Sequence, residues 1–152
     1  MSEHKATISW NRAGREFTYE EYSRDHSWRF DGGSEIAASA APAYLGNPKL
    51  VDPEEAFVAS AAGCHMLTFL AIAARKRWVI ERYEDTAVGT LEKNAEGRLA
   101  ITRIVLRPDV RFGGAKPPSA SEIEQAHHRA HQNCFIASSV KSEIVVSPVT
   151  RG

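Results

Sequence analysis

Residues 52–77 read DPEEAFVASAAGCHMLTFLAIAARKR. Asp52 is a good N-cap residue, Pro53 suits the first helical position, and Glu55 stands three residues after the cap. Glu54 and Glu55 put negative charge at the positive end of the helix dipole, and Arg75, Lys76 and Arg77 complement the other end. Between Ala56 and Ala74 the only ionisable side chains are Cys64 and His65. The stretch predicts one helix about 37 Å long. It is apolar on nearly every face, so it is expected to be buried on all sides. Ser60, His65 and Thr68 interrupt the apolar run and no second segment resembles it. We therefore read it as a core helix and not as a membrane span.

The chain has 152 residues, which suits a single domain over 1–152. Lys and Arg (19) balance Asp and Glu (19), which argues against a nucleic-acid surface. The N-terminal MSEHKATISWN lacks the apolar run of a signal peptide, so a cytoplasmic setting without a membrane is expected. In a reducing compartment, Cys64 and Cys134 are less often a structural staple than buried bystanders or a redox device. A chain of this size buries only about two thirds of its unfolded surface. Covering an all-apolar helix with so little material points to a dimer in which two such helices cover each other.

Working outward, residues 5–10 alternate as a strand, 11–14 form a turn, and 15–23 alternate again, predicting a hairpin. RDHSWRFDGG (24–33) ends in a Gly-Gly turn, a short strand spans 35–39, and 40–51 is a loop. After the helix, 83–93 reads as one strand, 94–97 (NAEG) as a turn and 99–107 as a second strand. Pro108 allows a bend before 110–112. Ser119 with Glu122 forms a second capping box and opens a helix near 120–133, with Cys134 at its end. Residues 140–149 close the chain as a strand. Strands, helix, strands, helix, strand make an α+β fold with an antiparallel sheet against the long helix.

Cys64 has two readings. It is a small buried hydrophobe, or it is a nucleophile. Ala59, Ala61, Ala62 and Gly63 leave room beside the sulfur for another helix or for a substrate. A buried thiol is inert unless a cation lies nearby, so the second reading needs an arginine. Glu54 starts the same helix ten residues earlier, about 15 Å away along a straight helix. It cannot touch its own Cys64. The two share a site only across antiparallel chains; otherwise Glu54 is a dipole partner of the first turn. Cys134, in NCFIASSV, is either a buried helix-end cysteine or a thiol whose following segment moves it to a partner. His127 and His131 lie four residues apart on one helical face, a spacing that can bind a metal. The signature glutamate of a metalloprotease is missing beside His127. A transition metal there would need a further ligand, Cys134 or His65, and a metal- or ligand-binding module using His127, His131 and Cys134 stands as the alternative function, with His128 left without a role.

DPEEAFVASAAGCHMLTFL resembles the signature of the OsmC/Ohr family of thiol peroxidases. Pro53-Glu54 opens the helix and Cys64 follows ten residues after the glutamate, as in that family. Cys134 in HQNCFIASSV matches its second cysteine, although Phe135 stands where many members have proline. The resemblance covers nearly the whole chain. It implies an intertwined homodimer with antiparallel sheets around the long helix and two active sites at the subunit interface. It implies that Cys64 is the peroxidatic thiolate and Cys134 the resolving thiol, and that an arginine held by Glu54 stabilises the thiolate. Arg24, at the end of the 15–23 strand, is the chosen arginine and Arg29 the alternate. It further implies organic hydroperoxides as substrates, a lipoyl-type dithiol as reductant, and no metal or bound cofactor. Phe57, Met66 and Phe69 are expected to favour an alkyl or aryl peroxide.

Overall fold

A computed structural model describes residues 1–150 and divides the chain into two compact units, residues 1–56 and 57–152. In the first unit, β1 (Ala6–Ser9), β2 (His26–Phe30) and β3 (Glu35–Ala38) form an antiparallel sheet in that order. The expected hairpin between 5–10 and 15–23 is not formed. β1 pairs instead with β2, Ala6 opposite Phe30 and Ser9 opposite Ser27. The alternating aromatics of 15–23 serve a different purpose. Trp10, Phe17 and Tyr22 pack on one another with ring centroids 5.5–6.2 Å apart, and Trp10 Nε1 donates to the Ser23 carbonyl at 2.7 Å. The segment is a loop folded over its own rings.

α1 (Pro53–Arg75) forms as the sequence predicts. Asp52 Oδ1 accepts the Glu55 N–H at 2.8 Å, and Glu55 Oε2 accepts the Asp52 N–H at 3.2 Å, which completes the capping box. At the other end Arg77 takes a left-handed conformation (φ 59°) and the Trp78 N–H reaches the Ala73 carbonyl at 3.0 Å. This is a Schellman closure made without glycine.

In the second unit, the expected strand 83–93 is two strands, β4 (Val79–Asp85) and β5 (Val88–Lys93). β6 (Leu99–Leu106) pairs with β5, and β7 (Pro108–Gly113) pairs with β4. The four strands are one long hairpin bent in the middle. Pro108 sets the bend on one arm. Its partner arm breaks at Thr86–Ala87, because Asp85 lies opposite Pro108 and Val88 opposite Val105. Asp85 Oδ1 bridges the bend by accepting the Arg107 N–H at 2.7 Å. α2 (Ala120–Asn133) opens on the predicted Ser119–Glu122 capping box. It is followed at once by the short helix α3 (Phe135–Ser139). The closing strand is shorter than 140–149: β8 (Glu143–Val146) runs parallel to β6, Ile104 opposite Ile144.

Within one chain α1 is not buried on all sides. Ala61, His65, Phe69 and Ala73, spaced four residues apart, form its buried stripe, whereas Leu67 is 65% exposed. One half of the stripe, Phe69 and Ala73, packs on Ala126 and Ala130 of α2, with Trp78, Ile80, Tyr83, Val110 and Phe112 around them. The other half, Ala61, packs with Ile104 and Leu106 of β6. Gly89 admits close contact here, since a Cβ on it would lie 2.5 Å from Val58 Cγ2. Phe69 is wholly buried and stacks on His127 at 4.2 Å. Phe69→Ala should lower unfolding free energy by about 3–5 kcal/mol, read from the urea midpoint, because α1 and α2 cannot close around the cavity it leaves.

Candidate functional site

The two cysteines come together although seventy residues separate them. Cys64 lies midway along α1. Cys134 is the C-cap of α2 and the N-cap of α3, its backbone extended at φ −73°, ψ 116°. The α1–α2 packing sets the two helices side by side, and the thiols share a hydrogen bond. They are not equivalent. Cys134 is 1% exposed; Cys64 is half-buried. Burial pushes the Cys134 thiol up, and the hydrogen bond to Cys64 adds to the effect. Cys134 Sγ accepts the Ala137 N–H at 3.4 Å. Cys134 is therefore built into a helix junction, and the expected mobile segment after it is the first turn of α3, where Ser138 N–H bonds the Cys134 carbonyl at 3.1 Å.

Beside Cys64 the helix is open. A Cβ built on Gly63 meets nothing within 4 Å. Met66 is half-buried and Phe57 packs partly on the β6 core. Phe69 cannot line a peroxide path, because it belongs to the closed α1–α2 core; its apolar character has that explanation instead.

Glu54 lies in the first turn of α1, half-buried. Arg24 is fixed within its own loop. Its Nη1 donates to the Tyr22 carbonyl at 2.7 Å, Nη2 donates to the Tyr19 carbonyl, and the guanidinium carbon lies 3.7 Å from the Tyr22 ring centroid. Arg29 is exposed on β2, opposite Thr7 and Glu35.

The sequence put His127 and His131 on one face and named His65 among the side chains that could join them; the structure brings His65 against His127. His65 Nε2 and His127 Nδ1 are 3.1 Å apart and the rings stack with an interplanar angle of 5°. Both are buried, at 1% and 3% exposure. Desolvation, aided for His65 by the nearby His127 and His131, lowers each to about 4. The pair is neutral at pH 7. The only available sequence signal was the 61/65/69/73 spacing, which puts His65 on the buried stripe. Among the described residues, no group of three or more His, Cys, Asp or Glu side chains is placed to hold a metal.

Residues 46–148 match the family model described as OsmC-like protein, so the chain belongs to the OsmC-like family. Its fold superposes on an OsmC-like protein of unknown function from Vibrio cholerae with a TM-score of 0.95 and 50% identity, covering 98% of this chain and 100% of that one. An organic hydroperoxide resistance protein from Elizabethkingia anophelis shares the fold with a TM-score of 0.71 at 17% identity, over 97% and 94% of the two chains. The OhrB organic hydroperoxide resistance protein of Bacillus subtilis does so with a TM-score of 0.66 at 18% identity, over 99% and 98%. No curated protein matches the sequence.

The buried histidines make a thermodynamic prediction. Their folded values lie below the unfolded 6.5, so between about pH 6.5 and 4 the unfolded chain binds more protons than the native one. Stability is fully present above pH 6.5 and falls as the pH drops through that window. Between pH 7 and 4 the loss should reach roughly 6 kcal/mol for the two groups together, and His127→Phe should remove about half of the slope, measured by urea titration at each pH.

Proposed function

We propose that this protein is a cysteine-based peroxidase that reduces organic hydroperoxides to alcohols in the cytoplasm. The observation that carries the reading is the unequal thiol pair: a buried Cys134 against a more accessible Cys64 beside an open helix face. Such a pair divides naturally into an attacking and a resolving sulfur. The Cys64 thiolate attacks the outer peroxide oxygen, the O–O bond breaks, and the alcohol leaves with a proton while Cys64 becomes a sulfenic acid. Cys134 then attacks that sulfur. Water departs and a disulfide forms. A dithiol of the lipoyl type exchanges with the disulfide, becomes a cyclic disulfide itself, and returns both cysteines to thiols.

Arg24 supplies the cation in this reading. Its hydrogen bonds go to carbonyl groups and its plane lies on tyrosine, so its position is fixed while its charge is not neutralised. Glu54 orients it. Because Glu54 is about 15 Å along the helix from its own Cys64, the glutamate reaches a site only in an antiparallel homodimer. The uncovered apolar side of α1, Leu67 included, supports that assembly. The whole chain acts as one domain of the dimer, and no metal or bound cofactor takes part.

Cys64→Ser should abolish consumption of cumene hydroperoxide, followed with an excess of dihydrolipoamide. Mass spectrometry after one equivalent of peroxide should find an intramolecular Cys64–Cys134 disulfide in the wild type. Two free thiols, or full turnover by the serine variant, would end this assignment. Cys134→Ser should complete one turnover and then accumulate over-oxidised Cys64.

Arg24→Ala should slow alkylation of Cys64 by iodoacetamide at pH 7 by about tenfold or more. An unchanged rate would move the role to Arg29.

A further inference from the structure

A groove of about 800 Å³ lies between α2 and strands β7 and β8. Neither cysteine lines it. Val110 and Phe112 of β7 and Ile144 and Val146 of β8 make its apolar side. His127, His128 and His131 make its polar side, with Glu124 one turn earlier. The volume falls in the range of small-molecule sites, and the lining has their usual character, apolar with a few converging polar groups.

The polar groups are left over from the fold. His127 uses Nδ1 on His65, and its Nε2 is buried with no hydrogen-bond partner. His131 Nδ1 is also buried without one. His127 is 97% buried, and its orphan nitrogen lies just beneath the groove surface. Orphan polar atoms of this kind each cost about 1–3 kcal/mol, so the fold alone gives no reason to keep them.

We propose that this groove binds a monocarboxylic acid with an apolar chain, the carboxylate against His127 and His131 and the chain along Val110, Phe112, Ile144 and Val146. Three imidazoles face the groove against one carboxylate, so an anion suits it better than an amine. An anion also solves the orphan problem. A proton taken up by the His65–His127 pair gives His127 an N–H at Nε2 for the carboxylate, and the two charges compensate each other in the apolar wall. The groups facing His127 are His65 from α1 and Glu124, His128 and His131 from α2 itself. Those contributed by β7 and β8 are apolar. The neutral state of His127 in the free protein follows from its burial, and binding reverses it. The site does not depend on the thiol chemistry.

Titration calorimetry with sodium decanoate on the full chain tests this. One decanoate per chain should bind, with affinity falling about tenfold between pH 6 and 8. Decanol and decylamine should bind at least tenfold more weakly. His127→Phe, which keeps the ring stack on Phe69, should cost at least tenfold and flatten the pH dependence. Ile123→Trp, at the groove wall, should also cost at least tenfold. Circular dichroism verifies that each variant is folded. Cys64→Ser should bind decanoate like the wild type, which separates this site from the peroxidase reading. No saturable binding, several decanoates per chain unaffected by either substitution, a pH-independent affinity, or equal binding of the alcohol or the amine would overturn the proposal.

Discussion

Everything at the centre of the second unit depends on how closely α1 and α2 approach. The contact is made by Phe69 and Ala73 on one helix and Ala126 and Ala130 on the other. Three of the four are alanines, and a single large ring, Phe69, fills the space between the helices. The same approach fixes two other pairs. One turn before Phe69, His65 meets His127. Farther along, Cys64 meets Cys134 where α2 ends. A bulky residue at Ala126 or Ala130 would therefore separate thiols it does not touch. The thiol pair is a by-product of helix packing.

Much of this was legible because it is local. Asp52, Pro53 and Glu55 announce α1, and Ser119 with Glu122 announces α2, through chemistry completed within three residues. Pro108 announced a bend by what it lacks. What it could not announce was the matching break at Thr86–Ala87, since that follows from pairing across the hairpin. Residues 15–23 misled for a related reason. Phe17, Tyr19 and Tyr22 satisfy the period of a strand, but Trp10 and Tyr22 meet across a loop, and aromatic packing produced the same pattern. In the candidate site, Cys64, Cys134 and Glu54 stand out by their spacing against a family pattern, and the structure brings the two cysteines together. In the sequence His65 is only a possible further ligand, because its partner His127 lies 62 residues away and nothing near position 65 specifies the pairing.

The long helix shows how burial and composition can disagree inside one chain. Its sequence asks for an apolar environment on every side, yet one chain gives it a single stripe. By length and composition α1 is apolar enough to cross a membrane. Its place in the fold is that of a core helix, with the buried stripe divided between α2 and β6. Leu67, at 65% exposure, lies away from both. A surface of that kind is costly in water at about 25 cal/mol per Å². The homodimer proposed above covers it with a second copy of the chain.

The histidine pair constrains the thiol chemistry by what it cannot do. His65 follows Cys64 directly in sequence and His127 meets His65 from α2, and in another protein either could be the cation that keeps a thiol ionised. Here burial lowers both to about 4, so neither is charged at neutral pH. The basic end of α1 is no better placed. Arg75 is eleven residues beyond Cys64, about 16 Å along the helix, and exposed. Cys134, a thiol, supplies no positive charge. In the proposed mechanism the cation that a thiolate at Cys64 needs therefore comes from outside α1. That requirement gives the strand-and-loop region around Arg24 and Arg29 its chemical purpose in the proposed mechanism, and it is why the aromatic loop that grips Arg24 matters more than its exposed, irregular course implies.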